Sequence, residues 1–205
     1  MAGPPEARPP GREVAVAQGA DPVAHQAPVP LRVAGVAAFV AVLVAGVGGL
    51  ATDLGPWYRG LVQPPWKPPD LIFGPVWTLL YTLTAWAGAR AWWRAGLAET
   101  AGLHAGGQQA RRLRRRLLLA FGLNAVLNVL WSVLFFLLKR PDWALMEIVL
   151  LTASVWWLVA LCATVDRLAS RLLWPYLAWV LFAATVNAGV IRLNPLPPGT
   201  WGAFG

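Results

Sequence analysis

Five runs of about twenty apolar residues constrain this chain more than any other feature. They cover residues 31–51, 72–93, 117–138, 143–165 and 172–193. Twenty helical residues rise about 30 Å, the thickness of a bilayer's hydrocarbon core. Backbone groups in lipid must satisfy one another within the segment, so each run is read as a helix. Only 13% of the residues are charged, against about 25% in soluble domains. The expected fold class is an all-α integral membrane protein, a bundle of five transmembrane helices. The expected organisation is a tail at 1–30, one membrane domain at 31–194 and a short tail at 195–205.

The first tail is rich in Pro, Ala and Gly and has no apolar period, so it is expected to be disordered. It is not read as a signal peptide, because the first apolar run begins past residue 30 and is long enough to span. Cys162 is the single cysteine and lies in the fourth run, which leaves no disulfide framework. His25 and His104 lie in a tail and a loop. No Cys, His and carboxylate set has metal-ligand spacing, so neither a metal nor a cofactor is expected.

The net charge of +8 is concentrated in RRLRRR, from Arg111 to Arg116, directly before the third run. Positive loops stay on the cytoplasmic side. Twelve of the 17 Lys and Arg fall on the side of the N-terminus, and five on the other. The expected placement is a bacterial cell membrane, with the N-terminus cytoplasmic and the C-terminus outside. Topology accounts for the basic run, so nucleic acid is not expected as a partner. Anionic lipid head groups at Arg111 to Arg116 are a secondary expectation.

GVGGLA, from Gly46, matches a dinucleotide-binding pattern, but it closes an apolar run instead of following a strand. Ala37, Ala41, Ala45 and Gly49 recur every fourth residue and are read as a smooth stripe for a neighbouring helix. Pro75 is expected in the first turn of the second helix, where a missing N–H is harmless. Residues 95–110 are read as a glycine-rich loop.

Tryptophan is unusually common, with 13 copies. Trp57, Trp66, Trp92, Trp93, Trp143 and Trp174 sit near run ends, as an interfacial aromatic belt would. Trp77, Trp131 and Trp179 fall inside runs, where a belt does not explain them. Polar residues also recur inside runs. Asn124, Asn128 and Ser132 share one face of the third helix, with Trp131 beside them. Trp179, Ala183 and Asn187 share one face of the fifth, where small Ala183 leaves room. Buried amides either join helices or mark a polar spot in a pocket. Glu147, four residues after Trp143, either pairs with Lys139 or Arg140 or orients something in a cavity.

The segment WYRGLVQPPWKPPDLIFGPVWTLLY, from Trp57 to Tyr81, resembles the signature loop of the translocator protein family. These are the tryptophan-rich sensory proteins (TspO/MBR), once called peripheral benzodiazepine receptors. LNVLWSVLFF from Leu127 resembles the family's third helix, PDWALMEIVLL from Pro141 its fourth, and WPYLAWVLFAATVNAGVIRLN from Trp174 its fifth. The likeness covers all five runs, about 160 residues.

The resemblance implies five helices around one ligand cavity and a homodimer. It also implies binding of porphyrin-type tetrapyrroles, and in many members of sterols and benzodiazepine-like ligands. Carried onto this chain, the cavity is lined by Trp77, Asn128, Trp131, Trp143, Trp179, Ala183 and Asn187, with Glu147 nearby. The 57–73 loop, with Trp57 and Trp66, becomes a lid. A proline-stiffened lid loses less entropy when ligand binds. The sterol motif proposed for the fifth helix needs a Tyr shortly before an Arg. Here Ala188 and Gly189 follow Asn187 and only Arg192 remains, which favours a tetrapyrrole. The leading function is therefore a membrane receptor or carrier for tetrapyrroles. One alternative is a light-dependent porphyrin-degrading enzyme, with Trp77 and Trp179 as its reactive groups. Another is a small-solute transporter, which the absence of repeats and of intramembrane charge chains disfavours.

Overall fold

The computed structural model describes residues 28–101 and 105–195. The first tail up to residue 27, and the second beyond 195, lie outside the described residues. The elements in order are α1 (Leu31–Leu50), a short α2 (Pro56–Gly60), α3 (Asp70–Ala101) and α4 (Ala105–Ser132), which runs on into a π-helical turn (Val133–Leu137). Then come α5 (Pro141–Ala163), a short α6 (Arg167–Leu172) and α7 (Trp174–Leu193). Among the described residues, five helices are long and apolar enough to cross a membrane. The chain is an integral, multi-pass membrane protein of all-α class.

Two expectations about helix ends need correction. The second helix begins at Asp70 and continues to Ala101, and the third begins at Ala105, so most of the expected 95–110 loop is helix. Ala, Leu, Glu, Gln and Arg dominate there, and these are strong helix formers. A 32-residue α3 is about 48 Å long and outreaches the bilayer core, so α3 and α4 extend past it as a hairpin. Pro75 consequently lies inside α3 and removes one backbone hydrogen bond there. Asp70, in the first turn, places negative charge at the helix N-terminus.

All five spans thus share two ends. The strap end carries the connection between α1 and α3. The arginine end carries the α3–α4 hairpin, α6 and the start of α1. Burial is unequal among the helices. Half of the most apolar window of α5 is buried, against 6% for α1, so α5 is the central post and α1 stands outermost. At the arginine end Ala87, Ala91 and Ala95 of α3 are fully buried against Leu117, Leu158, Cys162 and Leu173. This small-residue stripe lets helices approach closely. At mid-depth Leu80, Ile148, Leu151, Val155, Tyr176 and Val180 form a second cluster. Phe135, Phe136, Ala144 and Val190 form a third beneath the strap, with Tyr58.

Asp166 ties the arginine end together. Its carboxylate accepts from the Arg90 guanidinium at 2.8 Å and lies 3.7 Å from that of Arg94. It also accepts from the backbone N–H groups of Leu168 and Ala169, capping α6.

Candidate functional site

The strap folds back over its end of the bundle. Trp57 meets Phe135 edge-on with ring centroids 6.0 Å apart, and Tyr58 meets Phe136 at 5.6 Å. The Tyr58 hydroxyl donates to Asp70 Oδ1 at 2.7 Å, and Lys67 pairs with the same oxygen. Burial alone would lower the Lys67 pKa, but its hydrogen bonds to Asp70 and Tyr58 outweigh this and hold it above the usual lysine range. Further along, Val62 N–H donates to Asn194 Oδ1 at 2.9 Å, and Asn194 Nδ2 donates back to Val62 C=O at 2.9 Å. Pro64 and Trp66 press on Gly189 of α7. A Cβ at Gly189 would lie 2.9 Å from Pro64 Cβ and from Trp66 Cζ2, so only glycine accommodates the strap there.

Beneath the strap is a cavity of about 980 Å³, at the upper end of the roughly 300–1,000 Å³ usual for small-molecule sites. It lies between α1 and the wall made by α3, α4, α5 and α7. Five of the expected residues meet on it: Trp77, Asn128, Trp131, Trp179 and Ala183. Sequence reading missed Tyr58, Phe73, Tyr81 and Phe136, which also line it. Tyr81 follows Trp77 by four residues, so the spacing placed it on that face. Its ring stacks on Trp77 at 5.3 Å and 28°. On the other flank Phe73 stands edge-on to Trp179 at 5.7 Å. The Trp179 indole N–H is buried with no hydrogen-bond partner.

Five expected residues lie elsewhere. Trp57 packs on Phe135 beneath the strap, and half-exposed Trp66 lies against Gly189. Trp143 has the Arg140 guanidinium over its ring at 4.2 Å. Asn187 is buried behind the wall, accepting from Trp131 Nε1 at 3.3 Å and donating to Pro141 C=O at 2.8 Å. Glu147 is buried, with neither carboxyl oxygen hydrogen-bonded. Of the two alternatives for Glu147, pairing with Lys139 or Arg140 does not form, and Arg140 Nε donates instead to Asp142 at 2.8 Å.

The interior amides join helices. Asn124 Nδ2 donates to Ser154 Oγ at 2.8 Å. Asn128 accepts from the Tyr81 hydroxyl at 2.7 Å, and its Nδ2 donates to the Tyr176 hydroxyl at 3.0 Å. Asn128 alone among the three buried amides also faces the cavity. The stripe of Ala37, Ala41, Ala45 and Gly49 needs a further correction. Ala41, Ala45 and Gly49 line the cavity instead of receiving a packed helix. Small side chains on α1 keep the space open.

Among the described residues, Asp70 is the only charged one on the cavity wall. Such a wall suits a small, mostly apolar ligand. A five-span bundle closed around it defines a membrane receptor or transport protein for small hydrophobic molecules.

Residues 36–193 match the model of the TspO/MBR family, and the chain belongs to that family. It is 35% identical over 162 residues to the Tryptophan-rich protein TspO of Archaeoglobus fulgidus, covering 78% of this chain and 95% of that one. It is 36% identical over 139 residues to the Tryptophan-rich protein TspO of Chlorobaculum tepidum, covering 68% and 80%. It is 33% identical over 143 residues to the Translocator protein of Homo sapiens, covering 67% and 75%. The family role is that of a receptor or transporter, not of a catalyst.

Proposed function

We propose that the protein is a receptor or carrier for porphyrin-type tetrapyrroles, bound in the cavity beneath the strap. The observation that carries this reading is the pair of aromatic walls, Trp77 stacked with Tyr81 on one side and Trp179 with Phe73 on the other. A planar macrocycle buries both faces against such walls.

Purified protein titrated with protoporphyrin in the dark should show saturable tryptophan quenching and a shifted absorption band. The expected Kd is about 1 μM or tighter, roughly 8 kcal/mol. Linear, detergent-like partitioning would sink the specific cavity. Under illumination the pigment should fade no faster than free pigment beneath the same lamp. Faster fading would favour the degrading enzyme. Trp179→Phe keeps an aromatic ring but loses the free N–H, so affinity should fall by about 1 kcal/mol, roughly five-fold.

The orientation follows from the charge distribution, with the arginine end cytoplasmic. A reporter enzyme fused after Gly205 should be active on the outer side of a bacterial host's membrane. Activity only in the cytoplasm would reverse the topology while leaving the fold intact.

A further inference from the structure

A second cavity, of about 870 Å³, lies between α1, α3 and α4 toward the arginine end. Tyr81 and Asn128 line both cavities, so their hydrogen bond stands where the two meet. The second wall is almost wholly apolar except at its far end, where Arg32 of α1 and Arg114 of α4 face it. The Arg114 guanidinium lies 3.6 Å from the centre of the Trp92 ring, which fixes the cation at the bilayer's edge. The indole N–H groups of Trp92 and Trp93 are buried with no hydrogen-bond partner, and both side chains line this cavity. Val36, Val40 and Leu118 form its lips and are exposed, so in a membrane the trough opens sideways to lipid.

From this arrangement we infer a second, separate binding site for one anionic phospholipid of the surrounding bilayer. An acyl chain lies in the apolar trough, and the phosphate sits between Arg32 and Arg114. Charge complementarity selects the head group. The sideways opening selects a bilayer lipid over a water-borne solute, since the lipid reaches the trough without leaving the membrane. The site does not depend on tetrapyrrole binding beneath the strap.

Gly122 offers a test by filling. It lines the trough, and a Cβ there would meet nothing within 4 Å, so a leucine at this position starts into the acyl chain's space with its first carbon unobstructed. Purified full-length protein would be exposed to equal amounts of phosphatidylglycerol and phosphatidylcholine with identical chains, and retained lipid read by native mass spectrometry. One phosphatidylglycerol per chain is expected, favoured over phosphatidylcholine at least five-fold. Gly122→Leu should abolish retention, and Arg32→Gln with Arg114→Gln should remove the preference. Protoporphyrin quenching should be unchanged in Gly122→Leu, which separates this site from the other and shows that the variant is folded. Equal retention of both lipids by the unaltered protein would overturn the proposal, whatever the variants do. Preference that survives Gly122→Leu would place the lipid on surface arginines and overturn the trough as its seat. A lipid-free dimer would assign the trough to a second copy of the chain, with the same consequence.

Discussion

Asp166→Ala should lower the midpoint of unfolding in detergent more than any other substitution outside the ligand cavity. Asp166 is buried, and so in large part are Arg90 and Arg94, the two cations around it. Removing one partner from a buried ionic cluster leaves uncompensated charge and costs about 3–5 kcal/mol. The same carboxylate caps α6 through Leu168 and Ala169, a contact worth about 1 kcal/mol. Asp166→Asn keeps a cap acceptor but not the charge, so it should recover only that smaller part. Combining Arg90→Ala with Asp166→Ala should be less damaging than the sum of the two single changes, because each alone strands the other's charge. A loss below about 1 kcal/mol for Asp166→Ala would mean that water reaches the cluster and screens it.

The five spans were legible because a helix in lipid leaves a long apolar run, and nothing else in a chain of this size does so. Their ends were less legible for a related reason. Past the hydrocarbon edge, α3 and α4 continue in Ala, Glu, Gln and Arg, and polarity there marks water, not the end of a helix. Spacing of four residues placed Trp179 with Ala183 on a common face, and the same spacing joins Trp77 to Tyr81, which sequence reading passed over. It could not tell a face lining a cavity from a face one layer behind it. Asn187 follows Ala183 by four residues, yet its amide is taken up by Trp131 and Pro141. The stripe on α1 shows the same ambiguity, since small residues permit either a packed neighbour or an empty space. Glu147 sits on α5, whose exposed side (Met146, Val149, Leu150, Trp156) is as apolar as its buried side, so no contrast between faces shows direction. The contact between Gly189 and Trp66 joins residues more than a hundred apart in sequence. Only the folded chain reveals it.

Gly189→Val should lift the strap and speed ligand release. The first added carbon already falls 2.9 Å from Pro64 and from Trp66, and the Pro64 ring is fixed to its backbone and cannot swing aside. Overpacking of this kind costs about 1–3 kcal/mol, and the cheapest relief is movement of the strap, since α7 is held on its other faces by the bundle. The reciprocal hydrogen bonds between Asn194 and Val62 resist that movement, but they are exposed and contribute only about 1 kcal/mol each. Protoporphyrin bound beneath the strap should therefore dissociate roughly ten-fold faster from Gly189→Val, for about 1.4 kcal/mol per factor of ten. Asn194→Ala should give a smaller increase, because it removes the clasp without forcing the strap away. Stopped-flow recovery of tryptophan fluorescence after mixing with excess empty micelles measures the rate, and far-UV circular dichroism reports whether the helices persist. If Gly189→Val stays helical and releases pigment at the wild-type rate, the strap packs on α7 without guarding the cavity, and ligand leaves by another route, between α1 and its neighbours.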